Sequence, residues 1–318
     1  MKKRFIIILS ALALLLSGCT QPQSDKKKLQ VVAAIFPEYD WVRQIVGDDD
    51  SVELTLLVDD GVDPHSFQPA VSDMVTTANC DLLIYGGGES DQWLTKLEAT
   101  NPNRETLVLL PLLGAQAHRE EVVEGMEVCA EDEEDEEDGE EEMDEHVWLS
   151  LRNTSVFCQA ITEALCRLNP GKADTYRANL AAYQQQLNAL DVQYQQVFSA
   201  ASQHTIVVCD RFPFRYLVED YNLNYYAAFP GCSAETGASF ETVVFLSNKV
   251  KELNLSALLV TESSDGRMAK TVAENAGNEQ MPVLTLNSMQ SVSAEQAKAL
   301  TYLSVMTENL TVLQQALS

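Results

Sequence analysis

Between Lys172 and about Ala200 the chain carries one unbroken apolar stripe: Tyr176, Leu180, Tyr183, Leu187, Leu190, Tyr194 and Val197. The positions advance alternately by four and three residues, the period of a helix with a single buried face. At about 1.5 Å per residue such a helix is about 40 Å long. A helix of that length needs partners along its whole face, so it forms a coiled-coil arm or a strut packed along two halves of one protein. The flanking chain selects the strut, because an α/β series stands on each side of it.

Upstream, Leu29 to Ile35 is a β-rich apolar run and residues 38 to 46 have one helical apolar side. Ser51 to Val58 alternates as a strand, Ser66 to Asn79 reads as a helix that Ser66 can cap, and Asp81 to Tyr85 as a buried strand. A helix near Gln92 to Ala99, a strand at Thr106 to Leu110 and a helix at 151 to 167 follow, the last stopped by Asn169-Pro170. Downstream, strands are expected at Thr205 to Cys209, Tyr225 to Ala228, Ala257 to Thr261 and Pro282 to Leu286. Helices are expected near Pro213 to Asp220, Ser239 to Leu253, Met268 to Ala276 and Ala294 to Ala316. Alternation of this kind makes parallel sheets with helices on their faces. The expected fold class is therefore α/β: two lobes with mainly parallel sheets, 29–168 and 204–318, joined by one long rigid helix within 169–203.

The first residues name a compartment. Lys2, Lys3 and Arg4 precede an apolar run from Phe5 to Leu16, too short for a stable membrane span of about 20 residues. A basic start, a short apolar stretch and small residues after it make a secretory signal. The run ends in Leu16-Ser17-Gly18-Cys19, which resembles the lipobox of bacterial lipoproteins. That likeness implies cleavage after residue 18 and lipidation of the Cys19 thiol. Residues 19–28 then read as a polar tether, with the protein anchored by lipid on the outer side of the cell membrane. Of the other six Cys, none stands in a CxxC or zinc-finger spacing, and Cys80 and Cys209 read as buried free thiols.

The net charge of -27 repels phosphate backbones, so nucleic acid is excluded as a partner, and cations are the ligands such a field attracts. Residues 120–145 hold 17 Asp and Glu with no Lys or Arg, more than half of that imbalance. The run reads as a solvated insertion with almost no apolar residues after Val128, or as a weak collector of cations near a binding site. On either reading it contributes nothing to a core.

Only four His are present: His65, His118, His146 and His204. His65, in Asp63-Pro-His-Ser-Phe67, follows the second expected strand, at the edge where open α/β sheets hold their ligands. His146 closes the acidic run in Asp144-Glu-His-Val-Trp148. Loops after second-lobe strands supply Asp210, Glu262 and Asp265. Two imidazoles from one lobe facing two carboxylates from the other suit a divalent transition metal. No serine triad order, P-loop or Gly-x-Gly-x-x-Gly occurs, and Gly86-Gly-Gly88 lacks the Lys and Ser/Thr of a phosphate loop.

Taken in order, the lipobox, DPHSFQP around His65, EHVWLS around His146, RFPFRYLVEDYNL and TESSDGRMAKTVAEN resemble the zinc and manganese solute receptors of bacterial ABC importers, the ZnuA-like group. The resemblance spans roughly residues 30 to 317. It implies a metal-receptor type periplasmic-binding fold, no enzymatic activity, a monomer, Zn2+ (or Mn2+) as transported ligand and an ABC permease as partner. It implies His65 and His146 as ligands and an acid of the TESSDG segment, Glu262 or Asp265, as a further one. Where the family places a third ligand this chain has Arg211, which cannot bind a cation, and Asp210 is the nearest substitute. Arg211 is then expected to pair with Glu235 or the acidic run, or to orient a ligating carboxylate. Two rivals remain open at this level: a metal-dependent surface adhesin of the same fold, and a zinc hydrolase, against which no HExxH and no general base appear.

Overall fold

A computed structural model describes residues 27–97, 101–127, 142–233 and 237–318. The signal run, Cys19, most of the tether, residues 128–141 of the acidic run and Glu235 lie outside the described residues. The first lobe comprises β1 (Leu29–Ala33), α1 (Phe36–Val46), β2 (Val52–Leu56), α2 (Val71–Asn79), β3 (Leu82–Tyr85), α3 (Gln92–Thr95) and β4 (Glu105–Val108). Its strands form a four-stranded parallel sheet in the order β2-β1-β3-β4. After α4 (Leu151–Leu168) and α5 (Ala173–Ala200) the pattern repeats as β5 (Thr205–Phe212), α6 (Arg215–Tyr221), β6 (Asn224–Pro230), α7 (Phe240–Leu253), β7 (Leu258–Val260), α8 (Arg267–Asn275) and β8 (Val283–Thr285). This second parallel sheet has the order β6-β5-β7-β8. The chain closes with α9 (Ala294–Ala299) and α10 (Tyr302–Ala316). Central strands covered on both faces explain unbroken apolar runs such as β3, in which every residue is buried.

The strut is α5, a helix of 28 residues packed against α1, α4, α6 and α10. It buries Tyr176, Leu180, Tyr183, Leu187, Leu190 and Tyr194, and then Phe198 in place of the expected Val197. The shift lets the Phe198 ring meet both Tyr194 and Tyr221, with centroids 5.7 and 5.0 Å away.

Three expectations need correction. The helix expected from Ser66 starts only at Val71, because Pro69 lacks an N–H and holds the residue before it extended. Pro64–Ser66 instead forms a separate 3₁₀ turn, and its cap is Asp63, whose Oδ1 accepts from His65 N at 3.0 Å. The last helix is two, broken at Leu300, where Thr301 starts α10 by accepting from Ser304 N. Arg43 takes the carbonyls freed there, those of Ala297 at 2.7 Å and Leu300 at 2.5 Å. The fully buried Asp40 holds Arg43 through Oδ1 and accepts Tyr302 N through Oδ2 at 2.7 Å, so α1 is tied to the start of α10.

The acidic run is the third. Its described ends are built into the fold. Residues 118–120 and 142–144 pair antiparallel, with Asp144 N donating to His118 O and Glu120 N to Glu142 O, both at 2.9 Å. Glu127 N donates to Ala228 O at 2.8 Å, and its carboxylate accepts from Ser239 N and Thr242 Oγ1 at the start of α7. A carboxylate at a helix N-terminus is stabilising there, and a run of like charges hides which member does it.

Candidate metal centre

The loops that leave the carboxyl ends of strands in both lobes converge on one small volume. His65 follows β2, Glu145 and His146 lead into α4, Cys232 follows β6, and Gln290 follows β8. One metal-binding atom from each of His65, Glu145, His146 and Cys232 lies within 4.8 Å of every other. His65 Nε2 and His146 Nε2 are 3.4 Å apart, and His65 Nε2 is 3.3 Å from Glu145 Oε1. Two nitrogens about 2.05 Å from one zinc ion at a tetrahedral angle lie about 3.3 Å apart, so His65 already stands at ligand spacing from both His146 and Glu145.

Each side chain is held. His65 rides on the Pro64–Ser66 turn that Asp63 caps. His146 is fully buried, and its Nδ1 lies 2.9 Å from Asp144 Oδ1, which leaves Nε2 to face the cluster. A carboxylate on the far nitrogen fixes tautomer and ring orientation, the usual support of a ligating imidazole. The short turn after His146 is pinned to the second lobe, where Trp148 Nε1 donates to Ser288 O at 2.8 Å. Glu145 Oε2 accepts from Ser90 N at 3.0 Å, and Gly88 must be Gly because a Cβ there would lie 2.0 Å from that same oxygen. Gln290 Nε2 sits 3.2 Å from His146 Nε2 and places its amide on the lone pair a metal would use.

The surroundings are acid-rich. Burial pulls the His146 imidazole down, but the charge and hydrogen bond of Asp144, with Glu145 and Glu120 beyond it, hold it above the ordinary histidine value. Burial lowers His65, and the Glu145 charge opposes this only in part. Behind the site, burial and the Glu145 charge push Asp91 up to about 7. Burial drives the Cys232 thiol upward, and Glu120, Glu145 and Asp144 add to this. Excess negative potential around two imidazoles favours a cation in their midst.

The other residues singled out from the sequence lie as follows. The structure brings His65 and His146 together. Asp210 is turned aside by an irregularity in β5, where Cys209 and Asp210 together oppose the single residue Ala228 of β6. Its Oδ2 accepts from Thr261 Oγ1 at 2.8 Å. Arg211 reaches across to the first lobe and pairs with Asp63 Oδ2 at 2.5 Å, so it clamps the turn that carries His65. Glu262 accepts from Ser288 N and Oγ and from Gln290 N, and holds the loop in which Met289 adopts a left-handed φ of 63°. Asp265 is exposed and paired with Arg267. None of these three acids belongs to the described cluster. Glu145 and Cys232 do, and sequence reasoning passed over both. Glu145 stands beside His146 in the same motif, and Cys232 occupies the strand-end position that marked His65.

Asp144→Asn is expected to weaken zinc binding by about 10- to 100-fold, since an amide can present its NH2 to Nδ1 and favour the wrong tautomer. Unchanged affinity by competition with a chelating dye would show that Asp144 does not orient His146.

Comparison with known proteins places the chain in a family. Residues 31–316 match the family model ZnuA, zinc-uptake complex component A, periplasmic. The chain is 30% identical over 328 residues to the zinc-binding lipoprotein AdcA of Streptococcus pneumoniae serotype 4, covering 99% of this chain and 61% of that protein. It is 27% identical to the metal ABC transporter substrate-binding lipoprotein ScbA of Streptococcus cristatus, over the full length of both. The Zn(II)-bound ZnuA-like domain of S. pneumoniae AdcA superposes with a TM-score of 0.70 at 27% identity, covering 91% of this chain and 99% of that domain. The chain thus spans about three-fifths of the length of AdcA.

Proposed function

The chain belongs to the ZnuA family of periplasmic zinc-uptake components, and from that premise we propose that it captures Zn2+ outside the cytoplasm and passes it to the permease of an ABC importer. It works by binding alone and performs no turnover. One observation carries the reading: in a largely buried site, His65 Nε2 stands 3.4 Å from His146 Nε2 and 3.3 Å from Glu145 Oε1, with all three residues in one cluster of metal-binding atoms. Borderline-soft nitrogen donors in a small donor set favour zinc, while manganese prefers more oxygen ligands. His65 and His146 are the principal ligands of the proposal, and Glu145 the carboxylate that joins them. Asp210, Glu262 and Asp265 act at one remove, through the loops they hold. Lipidation at Cys19 would keep the protein beside its permease.

Arrival of the ion must displace the Gln290 amide from His146, and departure allows its return. The Gln290 side chain is therefore the moving part of the cycle, on a loop that Glu262 holds in place. Titration calorimetry of metal-free protein with Zn2+, repeated in excess Mn2+, tests the proposal. One tight site per chain that Mn2+ fails to block is expected. No heat with Zn2+, or displacement by equimolar Mn2+, would overturn it.

A further inference from the structure

We propose that Cys232 is a fourth donor to the captured ion, contributed by the second lobe as a thiolate, and that it sets the preference for Zn2+ over Mn2+. The proposal rests on the metal-capture reading above. Gly231 makes the placement possible. A Cβ at Gly231 would lie 2.9 Å from His146 Cε1 and 3.0 Å from Phe212 O, so only glycine lets the end of β6 lie against the imidazole. The next residue is then delivered to the cluster, and Cys232 N is fixed there by donating to Glu120 Oε1 at 2.9 Å. Among the described residues, Cys232 is the second-lobe side chain whose donor atom falls within the 4.8 Å cluster. The second-lobe carboxylates of Asp210, Glu262 and Asp265 are engaged elsewhere.

The other described thiols differ in setting. Cys80 Sγ donates to Thr77 O at 3.1 Å and Cys166 Sγ points at Ala173 O, while Cys158 and Cys209 lie in the core. Charge favours the assignment as well. Two neutral imidazoles, one carboxylate and one thiolate balance a divalent cation. As the S–metal bond forms, the S–H bond breaks and its proton leaves to water. A soft sulfur donor strengthens binding of Zn2+ and does little for Mn2+. The Cys232 donor atom lies within 4.8 Å of the other three, and His65 already stands at ligand spacing from His146 and Glu145.

Two measurements under reducing conditions test the proposal. The first uses Co2+ as a probe of the full chain: a thiolate ligand gives an intense sulfur-to-cobalt charge-transfer band in the near ultraviolet. The band is expected in the wild type and lost in Cys232→Ser, with Zn2+ affinity falling about 10- to 100-fold and Mn2+ affinity changing less than about threefold. The second needs no variant: X-ray absorption of the zinc-loaded protein should show a Zn–S shell at about 2.3 Å. Co2+ and Zn2+ binding without the band and without the shell overturns the thiolate assignment alone. Failure of the wild type to bind either ion overturns the capture reading and this proposal with it. A band that survives Cys232→Ser assigns the sulfur to another cysteine and overturns it too.

Discussion

His146→Ala lowers zinc affinity by about a hundredfold or more, about 2.8 kcal/mol, in calorimetric titration. The size follows from how completely this imidazole is committed. It is fully buried, its Nδ1 is taken by Asp144, and its Nε2 is within 3.4 Å of His65 and 3.2 Å of Gln290. No water can easily replace it, since Gly231 and Trp148 close on the ring from two sides. His65→Ala costs less, at least about tenfold, because its side chain keeps an 8% exposed edge through which water can complete the coordination. Circular dichroism of the apo variants separates loss of ligand from loss of fold. Wild-type affinity in both variants would sink the site assignment.

The second large effect is on stability. Trp41→Ala costs about 3–5 kcal/mol of unfolding free energy, measured by urea denaturation monitored at 222 nm. Trp41 is fully buried in α1, with its ring 5.8 Å from Phe157 in α4 and edge-on 5.4 Å from Tyr302 in α10. It thus fills the seam where the first lobe, the helix before the strut and the end of the chain meet. Its Nε1 has no hydrogen-bond partner among the described residues, so Trp41→Phe forfeits volume but no polar contact. That variant is expected to retain most of the stability. Equal losses in the two would mean that shape at this seam, more than buried area, sets the energy.

The sequence was informative wherever a period or a position carried the information. The stripe of α5 follows from its four-and-three spacing, and the parallel sheets from strands that alternate with helices. His65 and His146 could be named because one follows a strand and both sit in short, dense motifs. What stayed hidden depends on single-residue geometry or on distant partners. One extra residue in β5 sends Asp210 to Thr261 and Arg211 to Asp63, and no local pattern announces such an irregularity. Cys232 joins residues more than 80 positions away only because Gly231 tolerates a close approach. The ends of the acidic run read as solvent-facing charge, yet Asp144 and Glu145 are buried, because each has a specific partner that offsets the cost of removing it from water.

The clamp between Asp40, Arg43 and residues 297–302 also bears on biogenesis. Its hydrogen bonds span sequence separations of 254 to 262 residues, almost the length of the described protein. A chain emerging amino end first presents Asp40 and Arg43 more than two hundred residues before their partners exist. Until then Asp40 and Arg43 have only each other and neighbours on α1 such as Gln44, and Trp41 lacks the Tyr302 edge. Contacts of such range make closure a late and slow event. A polypeptide cut short anywhere before Ala297 therefore loses its lock, and any ending before Gln290 also lacks the amide that guards His146. All four donors precede that point, so a chain shortened there is expected to be more open to proteolysis for want of the clamp, without losing a metal-binding side chain.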